Sequence, residues 1–170
     1  MKYNHDSTTA FFKGTWFASW NGNTNPNEGQ PSQLNYVATS TDFKSWSAPV
    51  AAYSDPEYSI NPVSTKQETI QWQPNFVVVN DELWSVWSID HGEKYDKAVY
   101  LSKLTDPAGK WENSPILIDN STTVNINSDE YILFPTQNPI VLSTGRVLVP
   151  VVAEGPGEGF FGQIKKTAVL

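Results

Sequence analysis

The apolar positions of this chain fall in short runs that polar turns separate. The first two runs, Thr9–Phe12 and Trp16–Trp20, flank the turn Lys13–Gly14. Runs of this length that are rich in aromatic and β-branched residues, with Gly, Asn or Asp between them, predict β-hairpins. No segment has the spacing of an amphipathic helix. We therefore expect an all-β chain with almost no helix.

The same order of runs recurs three times along the chain. Each unit has an apolar strand, a tight turn, an aromatic or valine-rich strand, a polar loop and a third strand, and Trp16 and Trp84 take matching places in the first two units. Repeated antiparallel four-stranded sheets are typical of propeller blades. The chain is therefore predicted to be one partial β-propeller domain over 1–170. Its blades are expected at about 5–55, about 70–120 and about 135–170, the last without its outer strand.

Two segments that follow a third strand share an aspartate turn that ends in tryptophan. They read Ser40-Thr-Asp-Phe-Lys-Ser-Trp46 and Thr105-Asp-Pro-Ala-Gly-Lys-Trp111. The first resembles the Asp box of sialidase-like propellers, although it lacks the glycine and is one residue shorter. The resemblance implies a propeller that acts on carbohydrate. Because a propeller closes into a ring, the remaining blades are expected from a further part of the protein or from a second copy.

Composition narrows the class of partner. The net charge is -7 and only 11 Lys and Arg are spread along the chain, so no basic stripe is present that could neutralise phosphates. No apolar run approaches the roughly 18 to 20 residues of a membrane helix. Seven Trp, seven Tyr and eight Phe stand beside many Asn, Ser and Thr, a combination that suits sugar rings. We expect a poly- or oligosaccharide partner, no nucleic acid and no membrane.

In propellers of this kind the ligand lies over the central axis, near the starts of the inner strands and the loops between second and third strands. That placement selects polar side chains from all three units. The catalytic candidates are His5, Asp6, His91, Tyr95 and Glu154, and the substrate-binding candidates are Asn21, Trp72, Gln73, Asn75, Gln137 and Asn138. The sequence predicts no metal site and identifies no cofactor. An extracellular or periplasmic location is expected, although the first residues contain no signal peptide.

Three functions remain open, and a polysaccharide lyase is the first of them. His5 would remove the proton alpha to a uronate carboxylate. The start of the first unit is similar to that of rhamnosyl-glucuronate lyases, and this resemblance implies that Gln73, Asn75 or Gln137 faces the carboxylate and that Tyr95 serves as the acid.

The second function is a glycoside hydrolase that uses a pair of carboxylates, with Asp6 as the first and Asp90 or Glu154 as its partner. The third is a propeller that binds glycans without catalysis. Sialidase activity is not expected, because sialidases hold their substrate's carboxylate with three arginines and Arg146 is the only arginine of this chain.

Overall fold

The computed structural model describes residues 1–30, 32–53, 70–90, 97–113, 132–154 and 166–169. These residues form three four-stranded antiparallel sheets, and none of them is helical. The predicted all-β propeller fold is therefore confirmed. No helix that could cross a membrane is found in this part of the chain.

Each sheet follows the order of the chain from an inner to an outer strand. The first contains β1 (Tyr3–Phe12), β2 (Thr15–Asn23), β3 (Leu34–Ser40) and β4 (Val50–Ala51). The second contains β5 (Ile70–Val79), β6 (Glu82–Asp90), β7 (Lys97–Leu104) and β8 (Glu112–Asn113). In the third, β9 (Ile132–Pro135) and β10 (Ile140–Val141) both pair with β11 (Val147–Glu154), which pairs on its other side with β12 (Lys166–Val169).

Tight turns fix the register of two hairpins, β1–β2 in the first sheet and β5–β6 in the second. Lys13 and Gly14 have φ angles of 46° and 80°, and the corresponding Asn80 and Asp81 have 48° and 65°. Two successive positive φ angles are the geometry of a type I′ turn, whose twist matches that of the flanking strands. Counting from these turns places Trp16 level with Leu83, so the expected match of Trp16 with Trp84 is wrong by one residue.

That one-residue difference matters because it changes the face of the sheet on which a side chain lies. The tryptophans that do correspond are Trp20 and Trp87, each paired with a tyrosine of the third strand, Tyr36 and Tyr100.

The sheets pack face to face as blades. Buried side chains of the first two sheets meet in one apolar cluster, and those of the second and third sheets meet in another. The first cluster contains Phe12, Phe17, Val37, Phe76, Leu83 and Leu104. The second contains Val79, Val86, Val99, Leu101, Val147, Val149 and Val151. The second sheet thus uses opposite faces for its two neighbours, as the alternation of side chains along strands allows.

Polar side chains join the inner strands where these converge. Thr8 donates its hydroxyl hydrogen to Asn138 Oδ1 at 2.8 Å, and the amide of Phe76 donates to the same oxygen at 3.2 Å. Asn75 Nδ2 donates to the carbonyl of Pro135 at 2.9 Å. All three units therefore contribute residues to a network at the axis, which holds the inner strands next to the candidate site.

Candidate active site

Two inner strands contain a bulge at the same level. Pairing with the neighbouring strand shifts between His5 and Thr8 in β1, and between Trp72 and Asn75 in β5. Asp6 and Gln73 lie in these bulges with φ angles of 50° and 42°. Such conformations cost non-glycine residues about 1 to 3 kcal/mol and occur often at functional sites. A bulge also changes the direction of a side chain.

The bulge of β1 brings a histidine together with two carboxylates. His5 Nδ1 lies 3.0 Å from Glu28 Oε1 and 3.1 Å from Asp6 Oδ1. Because ionised carboxylates only accept hydrogen bonds, Nδ1 carries the proton and Nε2 is the nitrogen left for a ligand. The His5 side chain is 54% exposed, whereas those of Asp6 and Glu28 are 22% and 26% exposed. The imidazole is therefore the outermost group of this cluster.

The surroundings of Asp6 favour its neutral form. Burial is the main cause that raises the pKa of Asp6, and the charge of Glu28 adds to it, while His5 acts in the opposite direction. The amides of Asn21 and Gln73 approach closely enough to favour the charged form as well, but Oδ2 of Asp6 has no partner with hydrogen-bond geometry among the described residues. Asp6 is thus a carboxyl group that retains its proton to a higher pH than usual.

Tyr3 belongs to the same cluster. Its ring centroid lies 6.0 Å from that of His5. Burial, a hydrogen bond with Glu28 and the charge of Glu28 all raise its pKa. Tyr3 therefore keeps its hydroxyl proton and bonds Glu28, which His5 Nδ1 also contacts.

The cluster also has the composition of a cation site. The possible ligand atoms of His5, Asp6 and Glu28 all lie within 4.8 Å of one another. Imidazole nitrogen and carboxylate oxygens are ligands that Zn²⁺ accepts. The hydrogen bond between His5 Nδ1 and Glu28 Oε1 forms without an ion, so the geometry alone does not require one.

An open cavity of about 580 Å³ adjoins the cluster. Asn4, His5, Asp6, Ser7 and Trp20 line it. Trp20 Nε1 donates to Asn4 Oδ1 at 2.9 Å, which fixes the indole at the cavity. The volume lies within the roughly 300 to 1,000 Å³ of small-molecule sites. A cavity lined by an aromatic ring and by a carboxyl group with a raised pKa is an arrangement that can bind a sugar and donate a proton to it.

The remaining substrate-binding candidates lie in different surroundings. Asn21 is 0% exposed and Trp72 is 6% exposed, so neither presents much surface to a ligand. A Cβ atom on Gly29 would lie 3.1 Å from Trp72 Cη2, so the loop before β3 packs directly on this indole. Gln73 lies beside Asp6, and its Oε1 is buried without a partner among the described residues. Gln73 is therefore the substrate-binding candidate placed best to act with Asp6.

The amides of the second and third units take part in the axial network. Asn75 Nδ2 bonds the carbonyls of Gln73 and Pro135 at 2.8 and 2.9 Å. Asn138 accepts from Thr8, and Gln137 is exposed outside the cavity that His5 lines. The contact of all three amides with substrate stays a prediction, whereas the bonds of Asn75 and Asn138 within the protein are visible.

The side chains of three catalytic candidates are not among those that the structure describes. His91 and Tyr95 lie outside the described residues. Glu154 is the last residue of β11, as Asp90 is of β6, but the side chains of both lie outside what is described. Their roles stay predictions.

Sequence reasoning missed several residues of the cavity and of the cluster. Asn4, Ser7 and Trp20 were not foreseen as its lining, nor Tyr3 as a neighbour of His5, whereas Glu28 was expected on the same face as Asp6. Counting from the Lys13–Gly14 turn would have brought Trp20 and Asn4 to the same end of the hairpin. No local pattern pairs His5 with Glu28, which is 23 residues away.

Neither the family models nor the curated proteins include a match to this sequence. Solved structures do match. The native arabinanase Arb43A of Bacillus subtilis has a TM-score of 0.60 and 18% identity over 96% of this chain and 55% of its own. An α-L-arabinanase of Cellvibrio cellulosa, complexed with arabinohexaose, has a TM-score of 0.59 and 17% identity over 85% of this chain and 43% of its own.

A third similar structure is the Hadza microbial sialidase Hz136, with a TM-score of 0.68 and 12% identity over 89% of this chain and 32% of its own. The shared feature is the fold. The chain spans only about a third to just over half of the length of these three proteins.

Proposed function

We propose that this chain is part of a carbohydrate-active propeller enzyme that hydrolyses a glycosidic bond. The observation that carries the proposal is Asp6, a partly buried carboxyl group with a raised pKa that lines the cavity beside Trp20. The similar solved structures add support, since two are named as arabinanases and a third as a sialidase. Fold similarity by itself does not determine an activity, so the chemistry is argued from the site.

Asp6 is the general acid of the proposed reaction. Hydrolysis needs a protonated carboxyl group that donates its proton to the leaving glycosidic oxygen, and a second carboxylate that acts as nucleophile or activates water. Burial and the nearby charge of Glu28 both favour the proton on Asp6. The free Nε2 of His5 and the indole of Trp20 lie at the same cavity, where they can hold the sugar.

Glu28 is not the second carboxylate. Its oxygen lies within 4.8 Å of that of Asp6, and both contact the same nitrogen of His5. Glycosidase pairs are about 5 to 5.5 Å apart for retention or about 6.5 to 9.5 Å for inversion, with the space between them open to substrate. The partner therefore comes from another blade. Asp90 and Glu154 end β6 and β11, the strands that correspond to β2, and are the candidates.

The charges of the site favour a neutral sugar. With Asp6 protonated, as a general acid must be, Glu28 is the charged carboxylate at the edge of the cavity, and the residues that line the cavity include no lysine or arginine. The only arginine of the chain, Arg146, precedes β11 at the hairpin end of its sheet, the opposite end from Glu154. A uronate or sialate carboxylate would meet like charge here, so we propose a neutral glycan as substrate.

The test measures hydrolysis by the longest natural polypeptide that contains this chain. Neutral polysaccharides, arabinan among them, are incubated with the protein, and new reducing ends are quantified. Asp6→Asn should lower the rate by about 100-fold or more, the range of proton-transfer catalysts. Asp81→Asn is the matched control, since Asp81 is 80% exposed at the hairpin end of β5, away from the cavity, and should keep the full rate. Equal rates for the two variants would refute the role of Asp6.

Lyase activity is the second candidate, and the geometry of His5 is the observation in its favour. With Nδ1 bonded to Glu28, the exposed imidazole presents Nε2 as a base. Elimination from a uronate produces an unsaturated sugar that absorbs ultraviolet light, whereas hydrolysis does not. Product that absorbs ultraviolet light, formed from a glucuronate-containing polysaccharide and lost in His5→Ala, would replace the hydrolase proposal with the lyase.

A further inference from the structure

A buried glutamine just before β3 joins the loop between β2 and β3 to the second blade. Gln33 is 0% exposed. Its Oε1 accepts a hydrogen bond from the amide of Gly29 at 3.0 Å, and its Nε2 donates to the carbonyl of Gln71 in β5 at 2.9 Å. The amide of Gln71 also donates to the carbonyl of Gln33 at 3.0 Å. One side chain thus holds the loop and the neighbouring inner strand at the same time.

Gly29 lies directly against the second blade at this point. Its φ angle of 65° is one that glycine adopts readily, and the ring of Trp72 leaves no room for a side chain there. The nitrogen of Gly29 that Gln33 bonds belongs to the peptide group that follows Glu28. Because a peptide group is planar and rigid, the bond from Gln33 also restricts the backbone of Glu28.

The orientation of the His5 ring depends on Glu28. His5 Nδ1 lies 3.0 Å from Glu28 Oε1 with hydrogen-bond geometry, and it lies 3.1 Å from Asp6 Oδ1. The His5 side chain is more than half exposed, so packing alone does little to fix the imidazole. The hydrogen bond that one ring nitrogen makes determines which nitrogen carries the proton. A charged Glu28 accepts this bond, so it favours the proton on Nδ1.

Asp6 favours the opposite arrangement when it carries the proton that the proposed reaction requires. A protonated carboxyl group can donate to a ring nitrogen that has no proton of its own. Without Glu28 in place, Asp6 could donate to His5 Nδ1, and the proton of the ring would then lie on Nε2. The position of Glu28 therefore decides whether Nε2 is an acceptor and whether the proton of Asp6 stays available to a substrate.

We propose that Gln33 is a positioning residue of this site. By holding Gly29 against the second blade it fixes the carboxylate of Glu28, which keeps the proton of His5 on Nδ1 and leaves Nε2 to accept a hydrogen bond from a hydroxyl group of the sugar. The last step rests on the proposed function, because it requires that the cavity bind a sugar. The placing of the proton on His5 does not depend on that function.

Gln71 offers a matched control, because it is a buried amide in the same contact between blades whose side chain makes no bond to the loop. Its Oε1 accepts from the amide of Asn35 at 2.8 Å, and its Nε2 donates to the carbonyl of Tyr53 at 3.2 Å. Gln33→Met and Gln71→Met each remove both side-chain bonds of a buried amide, so urea denaturation should show similar losses of stability. Only Gln33→Met releases Gly29.

The tautomer of His5 is the quantity that tests the proposal. The longest natural polypeptide that contains this chain is labelled with ¹⁵N-histidine, and the chemical shifts of the ring nitrogens are recorded with the imidazole neutral. His5→Ala identifies the signals of His5. The Nδ1–H form should dominate in the natural protein and in Gln71→Met, and its fraction should fall by about twofold or more in Gln33→Met.

Hydrolysis of neutral polysaccharides is measured on the same samples. We expect kcat/KM to be about three- to tenfold lower in Gln33→Met than in Gln71→Met, the effect of about one hydrogen bond to the substrate. If the tautomer changes as expected but the natural protein hydrolyses no glycan, the proposed function is refuted and the positioning of His5 by Gln33 is supported.

Three results would overturn the proposal. An unchanged tautomer in Gln33→Met would show that Glu28 is placed without Gln33. An equal change in Gln71→Met would show that any loosening of the contact between blades moves the proton. A dominant Nε2–H form in the natural protein would show that Glu28 does not control the ring. Gln33→Asn, whose amide is one carbon shorter and cannot reach both partners, replaces Gln33→Met if that variant does not fold.

Discussion

Replacing Gln73 by glycine should stabilise the protein relative to replacing it by alanine. Gln73 has a φ angle of 42° in the bulge of β5. A residue with a Cβ atom loses about 1 to 2 kcal/mol in this left-handed region. Glycine avoids that cost but loses more conformational freedom on folding, about 0.5 to 1 kcal/mol relative to alanine. The glycine variant should therefore be more stable than the alanine variant by roughly 0.5 to 1 kcal/mol.

Val77 is the control position, since it lies in the same strand and pairs regularly with Trp84. There the glycine variant should be the less stable by about 0.5 to 1 kcal/mol. Urea denaturation of all four variants measures the free energies of unfolding. Comparing glycine with alanine at one position cancels the loss of the original side chain. The two comparisons should have opposite signs and differ by about 1 to 2 kcal/mol in total.

The same sign at both positions would refute the reasoning. Alanine would then be preferred at Gln73 as in an ordinary strand, and the bulge could not store strain at the axis. A change in the slope of the urea transition would show that a variant alters the unfolded or native ensemble instead.

Three further predictions concern packing and charge. Asn75→Leu removes both bonds of a buried amide and leaves the carbonyl of Pro135 unpaired, so urea denaturation should show a loss of about 1 to 3 kcal/mol. Tyr53→Ala should cost about 3 to 5 kcal/mol in the same assay, because its ring is buried between two sheets, whereas Tyr36→Ala on the half-exposed face should cost clearly less. The pKa of Asp6 is raised in the folded state, so its ionisation lowers stability as the pH rises through that folded pKa. Thermal melting should find Asp6→Asn more stable than the natural protein near pH 7, with the difference lost well below the ordinary pKa of 3.8.

The strands and hairpins could be predicted because their causes are local. Alternating apolar residues around Lys13–Gly14 and Asn80–Asp81 define two hairpins without reference to the rest of the chain. It was harder to predict which residues take equivalent positions in different blades. Trp16 and Trp84 look alike in sequence, but the turns place Trp16 level with Leu83.

Most contacts within the candidate site could not be predicted from the sequence. His5 and Asp6 were proposed from their place at the start of an inner strand, and the structure places both at a cavity. The contact of His5 with Glu28 requires the loop after β2 to fold back over β1, and no local propensity specifies that path. Trp46 and Trp111 end similar turns, yet only Trp111 packs between two sheets, because burial depends on a neighbouring blade and not on the turn.

The irregular inner strands explain how Asp6 comes to be the acidic group at the axis that the proposed reaction uses. Regular pairing is interrupted at one level in all three sheets: beside Asp6 in β1, beside Gln73 in β5, and between β9 and β10. The residues at these interruptions differ, so residue type is not their common cause. The inner strands converge at this level, and bonds between blades replace bonds within a sheet. In the second and third sheets the amides of Asn75 and Asn138 provide those bonds. In the first sheet the interruption carries a carboxyl group whose Oδ2 has no partner among the described residues. An unsatisfied, partly buried acid beside a cavity costs stability, and the proposed reaction is the use that its geometry and raised pKa support.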